Sequence, residues 1–435
     1  MTQNDEAWGK IFERLPLLAE IERQGFVYVS ADAIKAASDK REPRLLAKQD
    51  TINSRPSVFK DNKLSILPVE NGKYIIFKDE STKTYYQLKK TLSDILPEEY
   101  QPTKDYREYQ SLDVRNLSSE SQAIDFANLV LLLNTFTNEK ELNLTIRGRQ
   151  RSEKFQIKIP GYPHTAEVSG VQIEVDAGYE SPEKIYLIEA KLGRVDDFNI
   201  RQLYYPFKDW SCKSTKEIIP LFFVYTNGLF YILQFAFGEE YGELRCVKSK
   251  CFTVNEPVKQ PVNLKQLLKE SLVETEPKVP YPQANDLDKV IDIVTNFHSA
   301  ELMNKLAIAE FFEFDERQGD YYANAGNYLG LLKRIPHSTE FELTREGEFI
   351  AKSENRSRRN LLLLKQMLKR PSFNEIIRLF ESKNRDLNEI NDYVLSSIIK
   401  RHDNRLNDTT SRRRASTVKN WLRWMVAWMD LYENE

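Results

Sequence analysis

The chain has 435 residues, with 63 Lys and Arg against 65 Asp and Glu, a formal net charge of −2 and 41% hydrophobic residues. That length suggests roughly two to four domains. The composition is that of a soluble globular, cytoplasmic protein: no apolar run is long enough to span a bilayer, and the start of the chain carries Asp5 and Glu6 in place of a secretory h-region.

Three cysteines, Cys212, Cys246 and Cys251, provide neither a disulfide framework nor paired zinc spacing, and His164, His298, His337 and His402 are too scattered for His-metal nuclease chemistry. From Trp8 to about Arg23, Ile11, Phe12, Leu15, Leu18 and Ile21 recur at helical spacing, with Gly25 as the stop. Residues 26–29, 64–69 and 74–77 read as strands, and Ser30-Ala31-Asp32 opens a short helix. Residues 1–105 are therefore predicted to form a small α+β domain. Arg44, Lys48, Arg55 and Lys60 cluster within it, either as an ordinary solvated face or as contacts to DNA phosphates and base edges.

Ser119-Glu120-Ser121-Gln122 then matches a capping box, with Ser119 as N-cap and Gln122 at N3, ahead of a helix whose apolar face is Ala123, Ile124, Ala127, Val130 and Leu131. Glu120 lies in the first turn, where an acid suits the helix dipole. After strand-like residues 144–149 and 155–159, Val171, Ile173 and Val175 alternate with Gln172, Glu174 and Asp176. Downstream, Leu187, Glu189 and Lys191 share a face opposite Tyr186, Ile188 and Ala190. Gly178, Ser181 and Pro182 lie between and form turns readily, so a hairpin is predicted that gathers Asp176, Glu189 and Lys191 at one end of a small sheet. A Glu-x-Lys on a strand is commonly only a solvated face. Two carboxylates beside an ammonium also suit Mg²⁺-assisted phosphodiester hydrolysis: the hard ion takes oxygen ligands, and the lysine orients water or neutralises phosphate.

Residues 196–210 have helix length and carry Arg201, Gln202 and Pro206; residues 218–233 read as two buried strands about an Asn227-Gly228 turn. A mixed sheet with helices on its faces is predicted over residues 106–262. Pro277, Pro280 and Pro282 mark a linker over 263–285. Helices at 287–297, 303–312 and 321–332, then a β-wing at 340–349, predict a winged-helix-like domain over 286–352 whose third helix faces DNA. A second such unit, 353–435, has helices at 359–369, 373–380, 391–400 and 417–428. Before the last of them Ser411, Arg412, Arg413, Arg414 and Thr417 offer hydroxyls and guanidiniums at a helix N-terminus, which suits phosphate. Residues 352–423 hold eighteen Lys or Arg against eight acids. Trp421, Trp424 and Trp428 order that helix, and a dimer or domain interface is their competing use.

The order strand Asp176, turn, strand Glu189-Ala190-Lys191 resembles the PD-(D/E)XK nuclease superfamily, with Val175 where the motif has Pro. The resemblance implies a restriction-endonuclease-like α/β core in which Asp176, Glu189 and the Ala190 carbonyl hold Mg²⁺ and Lys191 assists the attacking water. It implies an accessory metal ligand at Glu120, and Gln202 with Arg201 near the scissile phosphate. With the N-terminal α+β domain and the mostly α winged-helix-like domains, the whole chain resembles a Type II restriction endonuclease. Such an enzyme makes sequence-specific cuts in double-stranded DNA and leaves 5′-phosphates, plausibly as a homodimer, with a cognate DNA methyltransferase as companion. A structure-selective repair or recombination nuclease would share the core, and a winged-helix regulator would bind DNA without cutting it. No Gly-rich Lys-Ser/Thr phosphate loop points to a coupled motor.

Overall fold

A computed structural model describes residues 3–109, 111–112, 117–254, 260–297, 303–312, 314–353 and 355–430. The N-terminal helical stretch is two helices, Gln3–Arg14 and Leu17–Gln24, parted at Pro16, which has no amide hydrogen to continue the first. Gly25 ends the second at φ +89°, its N–H bonded to the Ile21 carbonyl at 2.7 Å. Strands Phe26–Ser30, Lys73–Lys78 and Leu64–Glu70 make an antiparallel sheet in that order, and Trp8, Ile11, Ile34 and Phe59 pack beneath it. The α+β prediction holds here.

The central body begins before residue 106. Its strands are β1 (Pro97–Tyr100), β2 (Asn143–Arg151), β3 (Gln172–Glu180), β4 (Lys184–Leu192), β5 (Glu217–Thr226), β6 (Leu229–Phe237) and β7 (Leu244–Val254). They form one seven-stranded mixed sheet, order β1-β7-β6-β5-β4-β3-β2. Strands β4 and β5 are parallel, and such a pair needs a crossover. Helix α2 (Arg201–Lys213) supplies it, and carries Pro206 without ending there. The β5–β6 hairpin turns through Asn227 and Gly228, both at positive φ, as the Asn-Gly pair predicts.

Helices cover both faces. Helix α1 (Glu120–Leu129) buries Ala123, Ile124, Phe126 and Ala127 with Ala177, Tyr179, Ile188 and Ala190. On the other face Leu203, Tyr204 and Tyr205 of α2 join the core of Phe222 and Val224, while Phe207 and Trp210 lie over Val175, Ile185 and Leu187. Leu187, Glu189 and Lys191 therefore point to the α2 side, at the C-terminal end of β4.

Beyond the sheet two expectations change. The stretch over 263–285 contains a helix, Leu264–Glu270, and its remainder is a strap fixed to the following body. Glu274 pairs with Arg370 at 2.7 Å, Glu276 accepts the Ser372 N–H at 3.0 Å, and Tyr281 is buried. Prolines here impose extension, while side-chain anchors remove the freedom of a linker. Nor are 286–352 and 353–435 separate: one hydrophobic core runs from Leu287 through Phe341 and Phe373 to Trp428.

That body starts in winged-helix-like order, with helix Leu287–Asn296, strand Met303–Asn304, helices Lys305–Phe311 and Glu316–Tyr328, then strands Leu332–Arg334 and Glu340–Leu343. The predicted wing over 340–349 is cut short, because Thr344 caps a new helix, Arg345–Ala351, by accepting the Gly347 N–H. The third helix buries Gly319, Tyr322, residues 323–326 and Tyr328 in the core, which leaves it no long face for a DNA groove. Among the described residues no helix is long and apolar enough to cross a membrane. All three cysteines are free.

Candidate active site

Pairing of β3 with β4 runs from Glu180↔Ile185 to Ala177↔Ile188 and stops. The next residue on each strand is Asp176 and Glu189. The turn is tighter than predicted, since β3 continues to Glu180 and only residues 181–183 connect it to β4. Asp176 lies in a bulge: β2 pairs Ile146 with Gly178 but Gly148 with Val175, so two steps on β2 span three on β3. A bulge bends its strand and re-aims side chains. Val175 accordingly packs with Ile185 and Leu187 on the α2 face, whereas Ala177 packs with Ile188 on the α1 face, although strict alternation would put both on one side. The carboxylate of Asp176 reaches across the gap, and its Oδ2 accepts the Ala190 N–H at 2.8 Å.

Glu189 is the hub. Its Oε1 accepts from Lys191 Nζ at 3.0 Å and from Gln202 Nε2 at 2.7 Å, and the Glu189 and Lys191 side chains are only 11% and 9% exposed. Burial raises the Glu189 pKa well above the usual carboxylate value; the nearby Lys191 works against this, and the negative charges of Asp176 and Glu120 add to it. Glu120 thus lies within electrostatic reach of the hub from the start of α1. Ser119 caps that helix by accepting the Gln122 N–H at 3.1 Å. The other half of the box differs: Gln122 Oε1 accepts from Ser118 N and Oγ.

Arg147 on β2 escaped the sequence reading. It donates to the Asp176 carbonyl at 3.1 Å and pairs with Asp125 of α1, which ties the bulge to that helix. The signal was available in the Ile146-Arg147-Gly148-Arg149 run, where a central Gly at φ +96° marks the irregular strand.

The predicted DNA contacts separate. Arg44 and Lys48 are exposed, Lys48 lying 3.6 Å from Asp50. Arg55 is buried, its guanidinium donating to the Phe59 and Leu64 carbonyls at 3.2 and 2.7 Å, so it holds the N-terminal fold and does not reach DNA. Arg201 is held 3.1 Å from Asp50 and so links α2 to the N-terminal body instead of reaching toward phosphate. At the other end the helix runs Asp408–Trp428 with Asn407 as its cap, so the Arg run lies within the helix and not at its N-terminus. Ser411 is fully buried against Ser396, and Thr417 donates to Asn285 at 2.9 Å, which makes both packing residues. Arg412 and Arg413 are exposed and Arg414 is half-buried.

Among the described residues no three His, Cys, Asp or Glu side chains are gathered as a metal cage. The donors that do converge are Asp176 and Glu189. Two like-charged carboxylates, one buried and pushed toward its neutral form, form a group that a hard divalent cation would relieve, with backbone oxygen, water and phosphate completing the shell. The residues fit Mg²⁺.

Three family models match the chain, each described as a domain of unknown function: DUF6996 over residues 5–76, DUF6997 over 80–253 and DUF7226 over 289–430. Their limits roughly follow the three bodies of the fold, with β1 inside the second and most of the C-terminal core in the third, while Val262, Leu264, Leu268, Tyr281, Ala284 and Leu287 of that core lie before it. No curated protein and no solved structure matches.

Proposed function

We propose that this chain is a Mg²⁺-dependent, site-specific DNA endonuclease of the Type II restriction kind. The observation that supports it most is the meeting of Asp176, Lys191 and Gln202 around Glu189 at the point where β3 and β4 part. Asp176, Glu189 and the Ala190 carbonyl would hold the ion, which when bound supplies positive charge to the attacked phosphate and acidifies water. Lys191, beside Glu189, would align a water or balance charge on phosphate. Gln202, fixed on α2, holds Glu189 in one orientation. Exposed Arg412, Arg413, Arg44 and Lys48 would provide phosphate contacts, and a homodimer would bring two sites to the two strands.

The test is incubation of the purified chain with long unmethylated phage DNA, with and without Mg²⁺, beside Lys191→Ala. Discrete Mg²⁺-dependent fragments, lost in the variant, are expected. A smear would replace the site-specific reading with a nuclease that selects structure or nothing, and intact DNA, whether methylated or not, would overturn the catalytic reading altogether.

A further inference from the structure

The end of β4 that carries Glu189, Ala190 and Lys191 is held unevenly. Its pairing with β3 stops at Ile188, while its pairing with β5 continues to Leu192↔Tyr225. On the β3 side the Asp176 carboxylate takes the Ala190 N–H in place of a ladder bond. Gly193 then leaves the sheet at φ +76°, its N–H donating to the Tyr225 carbonyl at 2.7 Å. The placement of Lys191 therefore depends on what fixes the residues just after Leu192.

The C-terminal body fixes them. Phe312, which follows helix Lys305–Phe311 and is 2% exposed, lies so close to Gly193 that a Cβ there would overlap its Cε1 and stand 2.7 Å from its Cδ1. Glycine is thus required at this point for two reasons, the left-handed backbone and the approach of the ring. The ring is itself wedged: Phe311 meets it edge-on with centroids 4.8 Å apart, Phe314 stacks at 5.4 Å, and Lys289 Nζ lies 5.7 Å from its centroid. Next along the chain, Arg194 donates to the Tyr231 hydroxyl of β6 and lies 3.9 Å from Asp288 on helix Leu287–Asn296. From the same helix Asp292 bonds Thr226 and Asn227 where β5 ends. One body therefore grips β4 and β5 at the same end, two residues beyond Lys191.

Close-packed interiors transmit strain over such short distances. A shift of Gly193 reaches Lys191 and, through their 3.0 Å bond, Glu189. Misplacing a catalytic group by about 1 Å costs about 100-fold in rate. We propose that Phe312 is a positioning residue for the nuclease site: seated on Gly193, it sets where Lys191 and Glu189 stand, so that the body carrying Arg412 and Arg413 also governs the chemistry. This inference rests on the nuclease reading.

Single-turnover cleavage of long unmethylated phage DNA by the full chain, at saturating Mg²⁺ and over a range of protein concentrations, tests it. Phe312→Ala should lower the rate constant at saturation by about 100-fold, with the protein concentration for half-saturation unchanged. Partial unfolding would do the reverse, raising that concentration and sparing the rate. Phe312→Met, which keeps most of the bulk, should restore the rate to within about threefold of wild type. Gly193→Ala should be slow as well, and the double variant no slower than the slower single one, because the ring that the new methyl strikes is gone. Hydrogen exchange of the Gly193 amide in metal-free protein, a readout that needs no cleavage, should be faster in Phe312→Ala and unaltered over residues 26–30. An unchanged rate constant in Phe312→Ala, losses that multiply in the double variant, or unchanged exchange at Gly193 would each overturn the inference while the wild type still cuts. Intact DNA with the wild type would instead overturn the nuclease reading, and the catalytic half of this inference with it.

Discussion

Asp292 joins the C-terminal body to the sheet, and replacing it by Asn should flatten the dependence of stability on pH. The residue is 2% exposed on helix Leu287–Asn296. Its Oδ2 accepts from Thr226 Oγ1 at 2.5 Å and its Oδ1 from the Asn227 N–H at 2.8 Å, both at the β5–β6 turn. Burial pushes its carboxyl pKa from 3.8 up to about 7; the two hydrogen bonds oppose the shift and the charges of Asp288 and Asp286 add to it. The folded state therefore binds a proton that the unfolded chain releases between about pH 4 and 7. The stability from this proton is fully present below pH 4 and is lost as pH rises through 7. A shift of about three units corresponds to roughly 4 kcal/mol at most, and relaxation of the site would leave about 2–4 kcal/mol. Asp292→Asn keeps an acceptor for Asn227 and presents an amide to Thr226, with no charge to titrate. Urea unfolding followed by tryptophan fluorescence at a series of pH values from 4 to 8 should show the wild type losing about that much more than the variant. Asp197, pushed up to about 6 mainly by burial, slopes the same way but is common to both proteins. Parallel stability curves for the two would refute the reasoning.

Gln202→Met preserves the bulk of the side chain and removes the donor that holds Glu189 Oε1. Cleavage should fall by about 10–100-fold, as for other residues that orient a ligand, with the Mg²⁺ concentration for half-maximal rate rising; an unchanged Mg²⁺ titration would count against the assigned role. Arg412 and Arg413 enter no salt bridge among the described residues and lie on an exposed helix face. Changing both to Ala should move stability by less than about 0.5 kcal/mol, yet weaken DNA binding and lower the slope of log affinity against log salt by about two. A fluorescence-anisotropy salt series checks this, and an unaltered slope would remove the helix from the DNA-contacting surface.

Much of the architecture was written in local pattern. The Asn227-Gly228 turn, the Ser119 cap and the alternation of β4 each answer to a short-range rule and are found where the pattern put them; the apolar stripe of α1 holds through Ala127 and Val130, but the helix ends at Leu129 and the predicted Leu131 is exposed at φ +61°. Asp176, Glu189 and Lys191 were legible as a group for the same reason. What was not legible depends on partners far along the chain. The bulge that turns Asp176 toward Ala190 exists because β2 pairs with β3 in a broken register, and nothing in the Asp176 strand alone announces it. Arg201 looked like a surface cation until folding brought Asp50, 151 residues away, to it, whereas Arg55 is buried by a local turn onto the carbonyls of Phe59 and Leu64. The third helix of the C-terminal body has the length and order of a groove reader, and only the packing of Tyr322 and Tyr328 into the core shows that its face is already used.

The charge of the C-terminal body makes the same point quantitatively. Its eighteen basic residues against eight acids over 352–423 look like a nucleic-acid surface by composition. In the fold Arg370 pairs with Glu274, Arg385 with Glu381, Arg401 with Glu375, Arg405 with Asp403, Lys400 with Asp408 and Lys419 with Asp392. One of these acids, Glu274, comes from the strap outside the counted span, so the local excess partly reflects where the count was drawn. Exposed pairs add little stability, yet they fix their cations in place and lower the field available to a phosphate backbone. Among the described residues, the positions that combine exposure with freedom from such pairing include Arg412 and Arg413, while Arg356 and Arg359 are buried. A basic tally thus overstates the cationic surface open to a phosphate backbone, because folding pairs or buries much of that charge.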